Sequence, residues 1–128
     1  MKIVYFSVTG QTRRFIKKLN YPNTYEINAT TPMHEVGEPF ILIVPTYDAE
    51  ITEAVDDFLS LSTNQPFFKG VIGSGNRNFA ELFIFTAKDI AKKYNVPLLY
   101  AFEFNGTPVD VENVKKVVTD LESKRYWY

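Results

Sequence analysis

The residues best suited to chemistry are Ser7, Thr9, Gly10, Gln11 and Thr12, in the stretch SVTGQT that follows the apolar run KIVYF. Neutral hydroxyl and amide groups at that density suit an anion better than a metal ion or an acyl centre. A helix starting just after them adds free backbone N–H groups and the positive end of its dipole. Gly10 adds access to a positive φ. Together these features can wrap a phosphate. The same residues also read as an ordinary serine and threonine helix cap, and spacing alone leaves both readings open. The stretch has neither the Gly-x-x-x-x-Gly-Lys pattern of nucleoside triphosphatases nor the dinucleotide fingerprint.

Three further stretches follow apolar runs. After FILIV come Pro45, Thr46, Tyr47, Asp48, Ala49 and Glu50. Tyr47 there either stacks on a flat ring or is an exposed turn tyrosine. The next stretch is Gly73, Ser74, Gly75, Asn76, Arg77, Asn78 and Phe79. Its glycines suit a turn that aims backbone N–H groups at a ligand edge, and Asn78 also reads as an N-cap. The last stretch is Glu103, Phe104, Asn105, Gly106 and Thr107, a turn with Asp110 as a cap for the final helix.

The rest of the composition removes other chemistries. There is no cysteine, which excludes disulfides, thiol redox and cysteine nucleophiles. The one histidine, His34, lies in TPMHEVGEP and reads as a loop residue rather than a general base. Redox or group-transfer chemistry would therefore need a bound cofactor. A net charge of −1 gives no reason to expect nucleic acid or an anionic membrane as partner. No apolar run approaches the roughly 20 residues of a membrane span. The start MKIVYF is unlike a signal peptide, so a cytoplasmic location is expected.

The elements that must position these loops alternate in type. The pattern predicts strands over 2–7, 24–27, 40–44, 67–72 and 96–104. It predicts helices over 12–19, 53–61, 78–94 and 111–121, the third burying Leu82, Phe83, Phe85 and Ile90. Residues 28–39 read as a loop. Five strands separated by helices imply one α/β domain over 1–128, a parallel sheet with helices on both faces. Ligands of such sheets bind at the carboxyl ends of the strands.

Taken together, SVTGQT, VPTY, GSGNRNF and FEFNGTPVDVENV resemble the NrdI family, small flavodoxin-like proteins of class Ib ribonucleotide reductase systems. GNRNF is close to a signature. The resemblance implies a flavodoxin-like three-layer sandwich with strand order 2-1-3-4-5. It implies non-covalent FMN, reduced by an electron donor, whose reaction with oxygen supplies oxidant to the small reductase subunit, NrdF. That oxidant assembles the dimanganese–tyrosyl radical centre. By position, Ser7, Thr9, Gly10, Gln11 and Thr12 would hold the phosphate, and Thr46 and Tyr47 would sit beside the isoalloxazine. Ser74, Gly75, Asn76, Asn78 and Phe79 would meet its pyrimidine side. Arg77 would favour the anionic reduced flavin by Coulomb attraction.

Two departures stand out. Many relatives are glycine-rich after the P-[ST]-Y triplet, whereas residues 48–53 read DAEITE, with three acids and no glycine. Ala80 stands where relatives often have glycine. Three other readings remain: a general flavodoxin feeding other enzymes, a flavin-free scaffold, and a signalling receiver. YFSVTG lacks the acids that a receiver needs. The terminal Tyr126-Trp127-Tyr128 reads either as a partner-docking element or as a tail packed on its own helix.

Overall fold

The structure is a computed structural model that describes residues 1–125, apart from the side chains of Glu81 and Arg125. Tyr126, Trp127 and Tyr128 lie outside the described residues, and the two readings of that tail with them.

The strands are β1 (Lys2–Tyr5), β2 (Thr24–Glu26), β3 (Phe40–Pro45), β4 (Phe68–Gly75) and β5 (Leu98–Glu103). The helices are α1 (Gln11–Leu19), α2 (Glu53–Ser60), α3 (Phe85–Tyr94) and α4 (Pro108–Arg125). The strands form one parallel sheet in the order β2-β1-β3-β4-β5, as the resemblance implied. The chain thus reverses direction across the sheet between β1 and β3, where ligands of such folds bind.

FILIV has no polar interruption because β3 is central and covered on both faces; all six of its residues are buried. Its side chains alternate between two cores. Leu42 and Val44 pack with Val55, Phe58 and Leu59 of α2 and Ala87 of α3. Ile41 and Ile43 pack with Phe15, Ile16 and Leu19 of α1 and Val111, Val114 and Val118 of α4. Pro108 opens α4 at a position where its missing N–H costs nothing. Asp110 accepts from the Thr107 amide at 2.8 Å, and its own amide donates to the Thr107 hydroxyl at 3.2 Å. That reciprocal pair fixes where the helix begins.

Several boundaries differ from the sequence pattern. The helix expected over 78–94 is two elements, a 3₁₀ segment (Arg77–Leu82) and α3. Ala80 (φ 50°, ψ −113°) and Ile84 (φ 55°, ψ 27°) break it, both at positive φ. Leu82, expected inside, is exposed. Gly73, Ser74 and Gly75 continue β4, so the loop starts at Asn76. Phe104 leaves the fifth strand at φ 52°, exposed, and Val96 precedes that strand. His34 is a loop residue, its ring stacked on Tyr25 at 4.0 Å.

Candidate functional site

An open cleft of about 540 Å³ lies at the carboxyl ends of β1, β3 and β4. Its first wall comes from the turn into α1. Gly10, at φ 95°, swings the chain so that Gln11 opens the helix. The first amides of a helix have no carbonyl one turn back and remain available to a ligand. Thr9, Gln11 and Thr12 line the cleft here. Ser7 does not: its hydroxyl accepts from the Arg13 amide in the first turn of α1 at 3.3 Å, while Gly10 holds the N-cap position with no side-chain cap of its own. Thr9, Gln11 and Thr12 thus face the cleft, while Ser7 is engaged with the first turn of α1.

The second wall is Thr46 and Tyr47. The Thr46 hydroxyl donates to the Ser74 carbonyl at 2.7 Å and ties the end of β3 to β4. The Tyr47 backbone is bracketed by Thr86 of α3, whose hydroxyl accepts from the Tyr47 amide and donates to the Tyr47 carbonyl. Sequence reasoning missed Thr86, because a threonine in the first turn of a helix carries no signal of its own. Gly75 lets the third wall come close. A Cβ there would lie 3.0 Å from the Thr46 hydroxyl and 3.1 Å from the Ile84 amide.

The third wall divides the residues expected in it. Ser74, Gly75, Asn76 and Phe79 line the cleft. Asn76, rather than Asn78, caps the next segment, its side chain accepting from the Asn78 amide at 2.9 Å. Asn78 does not line the cleft, and neither does Arg77. The Arg77 guanidinium donates to Glu103 at 3.1 Å and lies 4.8 Å over the Phe83 ring. A carboxylate partner that close offsets most of its charge at longer range.

The mouth is apolar. Val8, Ile51, Phe79, Leu82 and Phe104 are all exposed and all line it. Burial of such side chains on a flat ring or a partner is favourable. Of the acids in residues 48–53, Asp48 lines the cleft, while Glu50 and Glu53 line a neighbouring groove with Asp56 and Asp89. The shifted titrations lie away from the cleft. Burial and Asp56 raise the Tyr94 phenol, burial and Asp110 raise Tyr100, and burial and Glu26 raise Tyr5.

Among the described residues no cluster of three or more histidines or carboxylates is arranged to hold a metal. None of their helices is long and apolar enough to cross a membrane. The donor set at one end is neutral hydroxyl and N–H, and the other end is a slot with aromatic and aliphatic edges. That chemistry fits a planar ring carrying a phosphate, and the cleft volume is in the range of small-molecule sites.

The family model described as NrdI flavodoxin-like matches residues 3–116. The chain belongs to the NrdI flavodoxin-like family. The match runs from Ile3 in β1 to Lys116 in α4, so every loop around the cleft lies inside it. Solved flavodoxins share the fold of this NrdI flavodoxin-like chain. One is a short-chain flavodoxin associated with a PDU bacterial microcompartment, 20% identical, with TM-score 0.66 and 96% of each chain covered. Another is the flavodoxin of Streptococcus pneumonia TIGR4, 20% identical, with TM-score 0.64, covering 96% of this chain and 97% of that one.

Proposed function

We propose that this chain binds FMN non-covalently in the cleft and serves the small subunit of class Ib ribonucleotide reductase, NrdF, in the cytoplasm. The observation that carries the reading is the pairing of a neutral helix-start anion end with an apolar slot, in a chain of the NrdI family. When bound, FMN supplies the electron transfer and oxygen reactivity that no side chain here provides. An electron donor must reduce it.

The chain's own residues bind and orient. Thr9, Gln11 and Thr12, with the amides that Gly10 frees, hold the phosphate; Ser7 sets where the helix begins. Tyr47, held by Thr86, covers ring surface beside Thr46. Ser74, Gly75, Asn76 and Phe79 frame the far edge. Arg77 and Asn78 shape that edge from behind, Arg77 through Glu103. With Glu50 and Glu53 turned to the neighbouring groove, Asp48 is the acid that opposes negative charge on the ring.

The test has two stages. Calorimetric titration with FMN should show binding to the folded protein; silence would leave a flavin-free scaffold. Anaerobic reduction of the FMN-loaded protein, followed by oxygen in the presence of manganese-loaded NrdF, should then yield the tyrosyl radical. Bound flavin with no radical would make the chain a general electron carrier.

A further inference from the structure

A chain of hydrogen bonds runs from the outside of α1 to the anion end of the cleft. Lys18 lies about two turns beyond Gln11 on the same helix. Its ammonium donates to the Asn105 carbonyl at 3.2 Å, to the Gly106 carbonyl at 3.0 Å and to the Asn105 side-chain oxygen. The Asn105 side-chain nitrogen donates to Gln11 Oε1 at 2.9 Å. Arg14 Nη1 reaches the same oxygen at 3.5 Å.

This chain can run in one sense only. Ammonium and guanidinium groups donate and never accept. Asn105 must therefore turn its oxygen to Lys18, which leaves its NH₂ facing Gln11. Gln11 must answer with its oxygen, which Arg14 also requires. The Gln11 NH₂ is left over, with no partner among the described residues, on a side chain that lines the cleft. An amide free to turn would have to give up that freedom in order to donate to an anion. This one is held with two donors available and its acceptor used.

We infer that Lys18 is a positioning residue for anion binding: through Asn105 it fixes the Gln11 amide with its N–H donors presented to the phosphate end of the cleft. The inference rests on the reading that the cleft takes a phosphate-bearing flavin. It adds a discriminating device, because riboflavin has the same ring and no phosphate. A purely structural Lys18, pinning the 105–106 turn to α1, would affect both flavins alike.

The experiment measures FMN and riboflavin affinity by flavin fluorescence quenching in the full chain and its variants. Lys18→Met should weaken FMN about fivefold and Gln11→Ala about tenfold, with riboflavin changed less than about twofold. The Lys18→Met/Gln11→Ala double variant should bind FMN no more weakly than Gln11→Ala alone, because both changes remove one interaction. Lys18→Arg should restore FMN affinity. Asn105→Asp keeps the link to Lys18 but removes the donor to Gln11, so it should lower FMN affinity in the Gln11 background and much less in the Gln11→Ala background. That variant also serves if Lys18→Met fails to fold. Equal losses for both flavins, or additive losses in the double variant, would overturn the inference. Folded wild-type protein that ignores FMN would instead overturn the reading beneath it.

Discussion

Thr86 holds Tyr47 from both sides of one residue, its hydroxyl accepting from the Tyr47 amide at 3.1 Å and donating to the Tyr47 carbonyl at 3.0 Å. Thr86 is buried in the first turn of α3, so this contact ties the cleft wall to the core face of the sheet. Thr86→Val keeps the shape and removes both bonds. Leaving a half-buried amide and carbonyl without this partner should cost about 1 kcal/mol. Urea unfolding should show that loss, with weaker FMN binding, and Thr86→Ser should recover most of it. A valine variant as stable as wild type would show that the bracket does not matter.

Ala80 sits at φ 50° and ψ −113°, a conformation that a Cβ resists. Replacing it with glycine removes the clash and adds unfolded-state freedom, two effects of opposite sign. Strain on the order of 1–3 kcal/mol should outweigh an entropic cost of about 0.5–1 kcal/mol. Ala80→Gly should therefore raise the urea midpoint. A lower midpoint would mean that the segment relaxes without the glycine.

Gly106 is the opposite case. It holds φ 74°, and a Cβ there would lie 2.5 Å from Phe15 Cδ1. Phe15 cannot yield easily, since it is fully buried and stacked on Phe102 at 4.1 Å. Gly106→Ala should lose about 2–4 kcal/mol from backbone strain and overpacking combined. Thermal denaturation measures it, and a loss under about 1 kcal/mol would contradict the geometry.

Tyrosine–carboxylate pairs with shifted titrations should shape the pH range of stability. Tyr94 donates to Asp56 and Tyr100 to Asp110, each at 2.6 Å, and Tyr5 lies beside Glu26. Burial works to raise Asp56, but bonds from Lys93 and Tyr94 outweigh it and hold the carboxyl below its usual range. Burial likewise opposes the Tyr100 and Thr107 donors that lower Asp110. Arg13 lowers Glu26 against its burial. Carboxyls lowered in the folded state stabilise above the unfolded value of about 4, and that stability is lost as pH falls through their folded values. Phenols raised in the folded state stabilise below about 10, and that stability is lost as pH rises past it. Urea midpoints should be level between about pH 5 and pH 9 and fall on both sides. Tyr94→Phe should flatten the alkaline fall, and an unchanged alkaline slope would refute the assignment.

The architecture was legible because its signals are strong. FILIV has to be a strand buried on both faces, and the alternation of apolar runs with amphipathic stretches has to be a covered parallel sheet. The segment after β4 was not legible, for a physical reason. Leu82 has the spacing of a buried helix face with Phe83, Phe85 and Ile90, yet it is exposed at the cleft mouth beside Phe79. Apolar residues exposed at a cleft look the same in sequence as core. Nor does anything in the letters of Ala80 and Ile84 announce positive φ, which glycine or asparagine would have signalled. In the candidate site the loops were legible but the division of labour within them was not. Ser7 and Thr12 are alike in type, yet one accepts from a first-turn amide of α1 and the other lines the cleft. Lys18 and Asn105 join through a fold contact between positions far apart in sequence.

The crown of Val8, Ile51, Phe79, Leu82 and Phe104 also governs how the molecule behaves as a solute. Side chains gathered in this way gain nothing from water, so self-association at high concentration is expected to begin at this mouth. A ligand that covers the mouth should then act as a solubiliser, and the colloidal behaviour of a preparation would gauge how fully its molecules are occupied.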